Sequence, residues 1–482
     1  MHVWMCHAAV QVTASLAGCS ASEGTGLIPT GHTQASTSTF MPLKLEQLEE
    51  LRTEAFADDV EIDLELMSLW TEDEARSFFE RGGPVGDLVP MHVLTERMTL
   101  RASCFPWARE VVQPGQVEVH IVKLAMTANS CTYSVCGGAP LFTLSNFPVP
   151  DGTLEDGARS YARVPCWGTG VVTASQCASV PVGQRIYGYL PMSPTCLLQP
   201  TQVSQTKGTF VDGAPARSQI IKNYRQYSTR PVHASGTPLT ADEEDFHTSS
   251  GTVFSTGWSL PFFATKLSPA PTALLVTAAS SRTSIAAAHA TRFHGELKAD
   301  VIGLTSSKNL KFVQSLGLYD QVVLYDALET QLVETRKVAV MDVAGNVELL
   351  ERLYALYGPN IVDYQKIGLA HLGQPELGRP PNLPRMSGLV LPQDYNIWPV
   401  LQSLAAQRGV QAHEQLMGSC WADYKAKMLP FYTVQRHHGA AETLRAYDET
   451  VTKGGCEPNC IHMCSLWPAG QQEPHEQHQR SP

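Results

Sequence analysis

The chain has 482 residues, 43% of them hydrophobic and 17% charged, with a formal net charge of −11. This is the composition of a globular protein too long for a single core, so two or more domains are expected. The acidic balance argues against nucleic acid as a partner, because phosphate binding needs a basic face. No apolar run reaches the length of about 18 residues that a membrane span requires.

Residues 1–42 contain no Lys or Arg and are rich in Ser, Thr, Ala and Gly. "LAGC" (Leu16 to Cys19) imitates a lipoprotein cleavage box, but His7, Gln11, Thr13 and Ser15 break the stretch before it, and a disordered tail is the reading. Residues 43–90 are acidic, with Leu45, Leu48 and Leu51 at helical spacing. Residues 91–265 change to short β-like runs punctuated by Gly and Pro. In "GQVEVHIVKLAM", for instance, Val117, Val119 and Ile121 alternate. The polar text of 201–250 within them reads as an insertion or cover.

Residues 266–385 alternate strand and helix. Strands are expected at Ala273–Thr277, Asp300–Ser306, Gln321–Asp326 and Lys337–Asn346, with a fifth within Asn360–Gly373. Near-continuous apolar strands separated by helices imply a parallel sheet covered on both faces, with ligands beyond the carboxyl ends of its strands. Residues 386–482 read as a helical segment that packs back on the β-rich domain. The twelve cysteines form no regular framework, which fits a reducing, cytoplasmic setting. Cys456, Cys460 and Cys464, spaced i, i+4, i+8, would share one face of a helix. Pro458 interrupts that helix, and no metal is assigned to them.

The turn after the first of these strands, "LLVTAASSRTSI", has the outline of a dinucleotide-binding turn but contains no glycine. Ala279, Ser280, Ser281, Arg282 and Thr283 are small or hydrogen-bonding, and helix N-terminal amides attract an anion. A capped strand–helix connection without ligand is the other reading. Past the second strand stand Thr305, Ser306 and Lys308, with no carboxylate to hold a ribose diol. That set suits the 2′-phosphate of NADP(H).

Several phrases resemble the medium-chain dehydrogenase/reductases: "VEVHIVKLAMTANSCTYSV", "RVPCWGTGVVTAS", "VGQRIYGYLPM", "SLGLYDQVVLYDAL" and "MDVAGN", in that order over roughly residues 95–375. The resemblance implies an α/β architecture, a GroES-like β-rich catalytic domain followed by a Rossmann doubly wound parallel sheet. It also places Tyr325, Ala344, Gly345 and Asn346 beside the cofactor. Asn129 stands near the position of a zinc-ligating Cys, and Trp167-Gly168 replaces a His-Glu pair. The chain therefore resembles the zinc-free, quinone-oxidoreductase-like branch, and most closely a little-characterised domain family of unknown function within it.

The reading that follows is an NADP(H)-dependent, zinc-free oxidoreductase acting on a small carbonyl, activated-alkene or quinone-type substrate. Tyr133 and Asn129 are its candidate catalytic residues, Trp167 lines the substrate pocket, and Tyr224 and Tyr227 are candidates to close over it. A homodimer is compatible with it. The alternative is a non-catalytic nucleotide-binding protein that keeps the reductase fold.

Overall fold

The computed structural model describes residues between 91 and 469, apart from 97–100, most of 136–160, 230–238, 369–380, 453–456 and a few single positions. The expected tail 1–42 and acidic segment 43–90 lie outside the described residues.

The β-rich half runs β1 (Met91–Glu96), β2 (Ala102–Pro106), β3 (Val117–Met126), helix α1 (Ala128–Val135), β4 (Tyr161–Arg163), β5 (Pro165–Ser175) and β6 (Arg185–Pro191). It continues through β7 (Thr195–Leu198), β8 (Pro200–Ser204), β9 (Thr209–Asp212) and β10 (Gln226–Ser228). The text expected to be a polar cover thus supplies three short strands that extend the main sheet.

Then comes a helix that the composition hides, α2 (Ala241–Ala264). Its start is a capping box: Thr240 and Glu243 each accept the other's backbone N–H. Its Ser and Thr residues look polar in sequence, yet they are buried because their hydroxyls bond to carbonyls of their own helix, Thr248 to Glu244 and Ser259 to Thr256.

The second half alternates β11 (Ala273–Val276), α3 (Arg282–Phe293), β12 (Asp300–Thr305), α4 (Leu310–Ser315), β13 (Gln321–Leu324), α5 (Leu328–Gln331), β14 (Val338–Asp342), α6 (Val347–Tyr357) and β15 (Ile361–Lys366). β16 (Gln393–Asp394) adds a sixth strand. All neighbours are parallel, in the order β13-β12-β11-β14-β15-β16, and Ala273 to Val276 face Asp300 to Gly303. This is the doubly wound dinucleotide order, whose direction reverses between β11 and β14.

The closing segment is more than helical. After α7 (Ile397–Arg408) and α8 (Val410–Met428) come β17 (Thr433–His438), α9 (Gly439–Tyr447) and β18 (Cys460–Ser465). β18 lies between β17, its parallel neighbour, and β3, its antiparallel one. Cys460 and Cys464 therefore sit on a buried strand rather than a helix, and Cys456 lies outside the described residues. Among the described residues no helix is long and apolar enough to cross a membrane.

Two contacts position the carboxyl-end side of the parallel sheet. Ala125 of β3 belongs to the same apolar cluster as Val276 and Ile285, while its neighbour Met126 joins the cluster that contains Tyr133. α1 therefore starts at the seam between the two sheets. In α2, Gly257 lies against the first turns of α3. A Cβ there would come within 2.7 Å of the Ala286 Cβ and closer still to the Thr283 carbonyl oxygen. Gly257→Ala should therefore destabilise the protein by roughly 2 kcal/mol through overpacking, read as a lower urea midpoint with an unchanged slope.

Candidate functional site

The turn between β11 and α3 manages without glycine by borrowing space from its neighbours. Ala278 adopts a left-handed backbone, φ +45°, which is unusual for a residue with a Cβ. It is held there from both sides: its N–H donates to the Tyr325 hydroxyl (2.9 Å), and its carbonyl accepts from Ser281 N–H (2.7 Å). The Tyr319 hydroxyl donates to the Ala279 carbonyl at 2.7 Å. Room for Ala279 comes from Gly303 in β12, where a Cβ would lie 2.9 Å from the Ala279 Cβ. Ser281 caps α3 by accepting Ser284 N–H, and the first amides of that helix have no intrahelical acceptor.

The facing turn, after β14, is organised by Asp342, 1% exposed. Its carboxylate accepts from the Thr277 hydroxyl (2.8 Å), the Ala344 and Gly345 amides (3.1 and 3.0 Å) and the Tyr364 hydroxyl (3.1 Å). The Thr277 oxygen in turn accepts the Val343 and Ala344 amides, both at 2.9 Å. Burial pushes the carboxyl's pKa up, and those donors pull against it. Gly345 takes φ +67°, and Asn346 caps α6 with its side-chain oxygen on Leu349 N–H, 2.9 Å. Of the residues expected beside a cofactor, Ala279 and Ala344 are buried, which leaves them backbone rather than side chain to offer, and the Asn346 side chain is already engaged.

At the end of β12, Thr305 is 1% exposed and its hydroxyl has no hydrogen-bond partner. Beyond it, Asn309 donates to the Ser280 hydroxyl at 2.9 Å, tying the two strand ends together. Lys308 is half-exposed and pairs with Glu457 at 3.3 Å. Arg282, expected among the anion-binding residues of the first turn, points elsewhere. It donates to the Cys460 carbonyl (2.8 Å), and its guanidinium lies 5.3 Å from the Tyr432 ring centre. Burial against the C-terminal segment decides its direction, which no local sequence feature encodes.

The catalytic candidates occupy the other side of the seam. Tyr133, on α1, is 3% exposed. Its oxygen accepts from the Trp167 indole N–H at 3.1 Å, and its hydroxyl also bonds that of Tyr224. Tyr187 stacks on Trp167 at 5.8 Å, and Tyr189 meets the Tyr133 ring edge-on at 5.0 Å. Burial raises the Tyr133 pKa well above the ordinary phenol value, so the group stays protonated at neutral pH. Asn129, half-buried on the same helix, precedes it by one turn. Tyr227 is instead a core residue under β6, its hydroxyl on the Tyr189 carbonyl at 2.7 Å. A shallow recess lined by Tyr187, Asn223, Gln226 and Ser228 opens beside the Trp167 stack.

The parallel sheet with its direction change at β11 and β14, and the antiparallel sheet joined to it through β3, define the class: a protein with the medium-chain reductase fold. The CurA protein of Vibrio vulnificus, solved in complex with NADPH, aligns over 78% of this chain and 98% of its own at 10% identity and TM-score 0.50. The quinone oxidoreductase from Coxiella burnetii aligns over 78% and 98% at 12% identity and TM-score 0.44. YHDH of E. coli K-12, with bound NADPH, does so over 78% and 99% at 12% identity and TM-score 0.43. The chain itself belongs to the family described as "Protein of unknown function (DUF2855)", whose model matches residues 124–455. No curated protein matches it.

Two stability outcomes follow. Ala278→Gly should stabilise the fold by about 1 kcal/mol, since glycine takes the left-handed conformation without strain. Asp342→Ala should destabilise it by on the order of 3 kcal/mol or more, because buried donors are stranded. Urea denaturation of the two variants beside the parent measures both.

Proposed function

We propose that this protein is an NADP(H)-dependent, zinc-free oxidoreductase acting on a small carbonyl, activated-alkene or quinone-type substrate. The observation that carries the reading is the pair of turns at the direction change of the parallel sheet, with the N-terminus of α3 aimed out of one of them. The residues present fit a phosphorylated dinucleotide. Helix amides and Ser280, Ser281 and Thr283 would hold the pyrophosphate, while Ser306, Lys308 and the unpartnered Thr305 hydroxyl would take the 2′-phosphate. Tyr325, Ala344, Gly345 and Asn346 would flank the cofactor through the turn backbones. The NADPH carried by the Vibrio vulnificus structure agrees with this choice. Arg282 is left out as oriented, because its guanidinium is taken by Cys460 and Tyr432.

When bound, the nicotinamide would supply the hydride. The chain's part is to exclude water, orient the substrate and hold a proton. Tyr133 holds one at its hydroxyl, with Trp167 and Tyr224 fixing the direction of that hydroxyl, and Asn129 offers an amide at the mouth of the same helix. By the resemblance to the medium-chain dehydrogenase/reductases, Trp167 would stand where the zinc enzymes keep a His-Glu pair and would offer an aromatic face instead. One observation favours the alternative, nucleotide binding without chemistry: the hydroxyl of Tyr133 is satisfied inside a closed aromatic cluster.

Titration of the purified protein with NADPH and with NADH, followed by nicotinamide fluorescence, tests the cofactor. NADPH oxidation with carbonyl, enone and quinone substrates separates the two readings, since the alternative binds without turnover. NADPH should bind more tightly. Lys308→Ala should weaken NADPH by about tenfold or more and leave NADH nearly unchanged, as expected for a charge-assisted phosphate contact. Glu457→Gln should tighten NADPH, because the phosphate then displaces no carboxylate. Equal losses for both nucleotides in Lys308→Ala reject the phosphate assignment, and binding of neither rejects the function. Tyr133→Phe should lower turnover with NADPH affinity intact; unchanged turnover removes Tyr133 from the reaction.

A further inference from the structure

At the opposite end of α3 from the turn just described, the helix meets α8, and three metal-ligating side chains converge there. His289 lies inside α3, His294 caps that helix, and Asp423 stands on α8. Their candidate ligand atoms all lie within 4.8 Å of one another. His289 is fully buried, and neither ring nitrogen makes a hydrogen bond, although Nε2 is 3.2 Å from Asp423 Oδ2. His294 Nε2 reaches the same oxygen at 3.0 Å. An imidazole buried this deeply with nothing on Nδ1 and only the Asp423 oxygen near Nε2 is costly to keep, and its neutral form presents the bare nitrogen that a metal requires.

We propose that His289, His294 and Asp423 form a binding site for a first-row divalent cation, with zinc as the favoured ion. Two imidazoles and one carboxylate are a borderline ligand set that suits zinc, and a water would complete four-coordination. Two of the three spacings match that geometry. Ligands about 2.0–2.1 Å from a tetrahedral zinc stand roughly 3.3 Å apart, and the two nitrogen–oxygen separations are 3.2 and 3.0 Å, with all three ligand atoms within 4.8 Å of one another. One group competes. Lys427 Nζ lies 2.8 Å from Asp423 Oδ2 and 3.5 Å from the centre of the Phe293 ring. Its side chain is 39% exposed, so the ammonium can leave for solvent when a cation arrives. The ion would staple α8 to α3, beside Tyr424, whose hydroxyl reaches back to the Arg282 carbonyl at 3.5 Å. This departs from the expectation of a metal-free chain, although the site stands apart from the substrate pocket.

The test uses full-length protein stripped with chelator, dialysed against zinc and assayed by elemental analysis, with cobalt in parallel for its visible absorption. About one equivalent should bind, cobalt should give the strong band of a four-coordinate site, and zinc should raise the melting temperature. His294→Ala and Asp423→Asn, chosen because these positions are partly exposed and the variants should fold, should each weaken zinc by at least about tenfold. Lys427→Met should bind zinc more tightly than the parent. Replacing His475 and His478 by Gln should change nothing. Zinc affinity unaltered in both His294→Ala and Asp423→Asn overturns the proposal. So does a loss confined to the His475/His478 variant or to Cys460→Ser.

Discussion

A single buried carboxylate sets the geometry on which the candidate site depends. Asp342 ends β14 almost wholly buried, and its neighbours are donors: one hydroxyl from the end of β11, two amides of its own turn, and one hydroxyl from β15. A carboxylate so placed either gathers donors or destabilises the fold, because a bare buried charge is among the most unfavourable states available to a protein. By gathering them it fixes the separation of the two turns between which a dinucleotide would lie. The Thr277 hydroxyl relays the constraint, giving its proton to Asp342 and receiving two amides from the opposite turn.

The missing turn glycines are explained by the elements packed around the turn. Close approach of strand, turn and helix requires that someone give up a side chain, and here the partners do so. Gly303 in β12 makes way for Ala279, and Gly257 in α2 makes way for the first turns of α3. What remains for the turn itself is a left-handed residue, and Ala278 accepts that conformation because hydrogen bonds on both sides of its peptide hold it. The requirement for smallness is thus met by the group of contacting elements, and a motif search confined to the turn does not see it.

This explains how far the sequence alone could be read. The parallel sheet was legible because strands covered on both faces become continuous apolar runs separated by helical text. Tyr325, the serine-rich turn and the 305–308 cluster were legible because local spacing and family phrases mark them. Asp342 was not, since a lone Asp closing an apolar strand looks like a boundary residue. The helix α2 was hidden by hydroxyl-bearing side chains that satisfy themselves along its own backbone; its one overt signal was the Thr240 and Glu243 pair. The direction of Arg282 and the meeting of His289, His294 and Asp423 depend on where α8 and β18 dock, and no local pattern records contacts between positions 129 and 178 residues apart.

The placement of β18 bears on how the protein is made. It is an interior strand of the large sheet, held between β17 and β3, and His462 pairs with Met126 more than three hundred positions earlier. β7 covers the Val117–His120 part of that edge, so during synthesis the Leu124–Met126 end of β3 would wait unpaired while the whole parallel-sheet domain emerges and folds behind it. Such an edge is an aggregation hazard until its partner arrives, and pairing across so long a loop is slow. The parallel sheet, whose contacts are comparatively local, would be complete first and would act as the platform that brings the last strand home. A nascent chain stalled before residue 460 would then hold a finished parallel sheet beside a β-rich sheet still open along the Leu124–Met126 end of β3, a state for chaperones to shield.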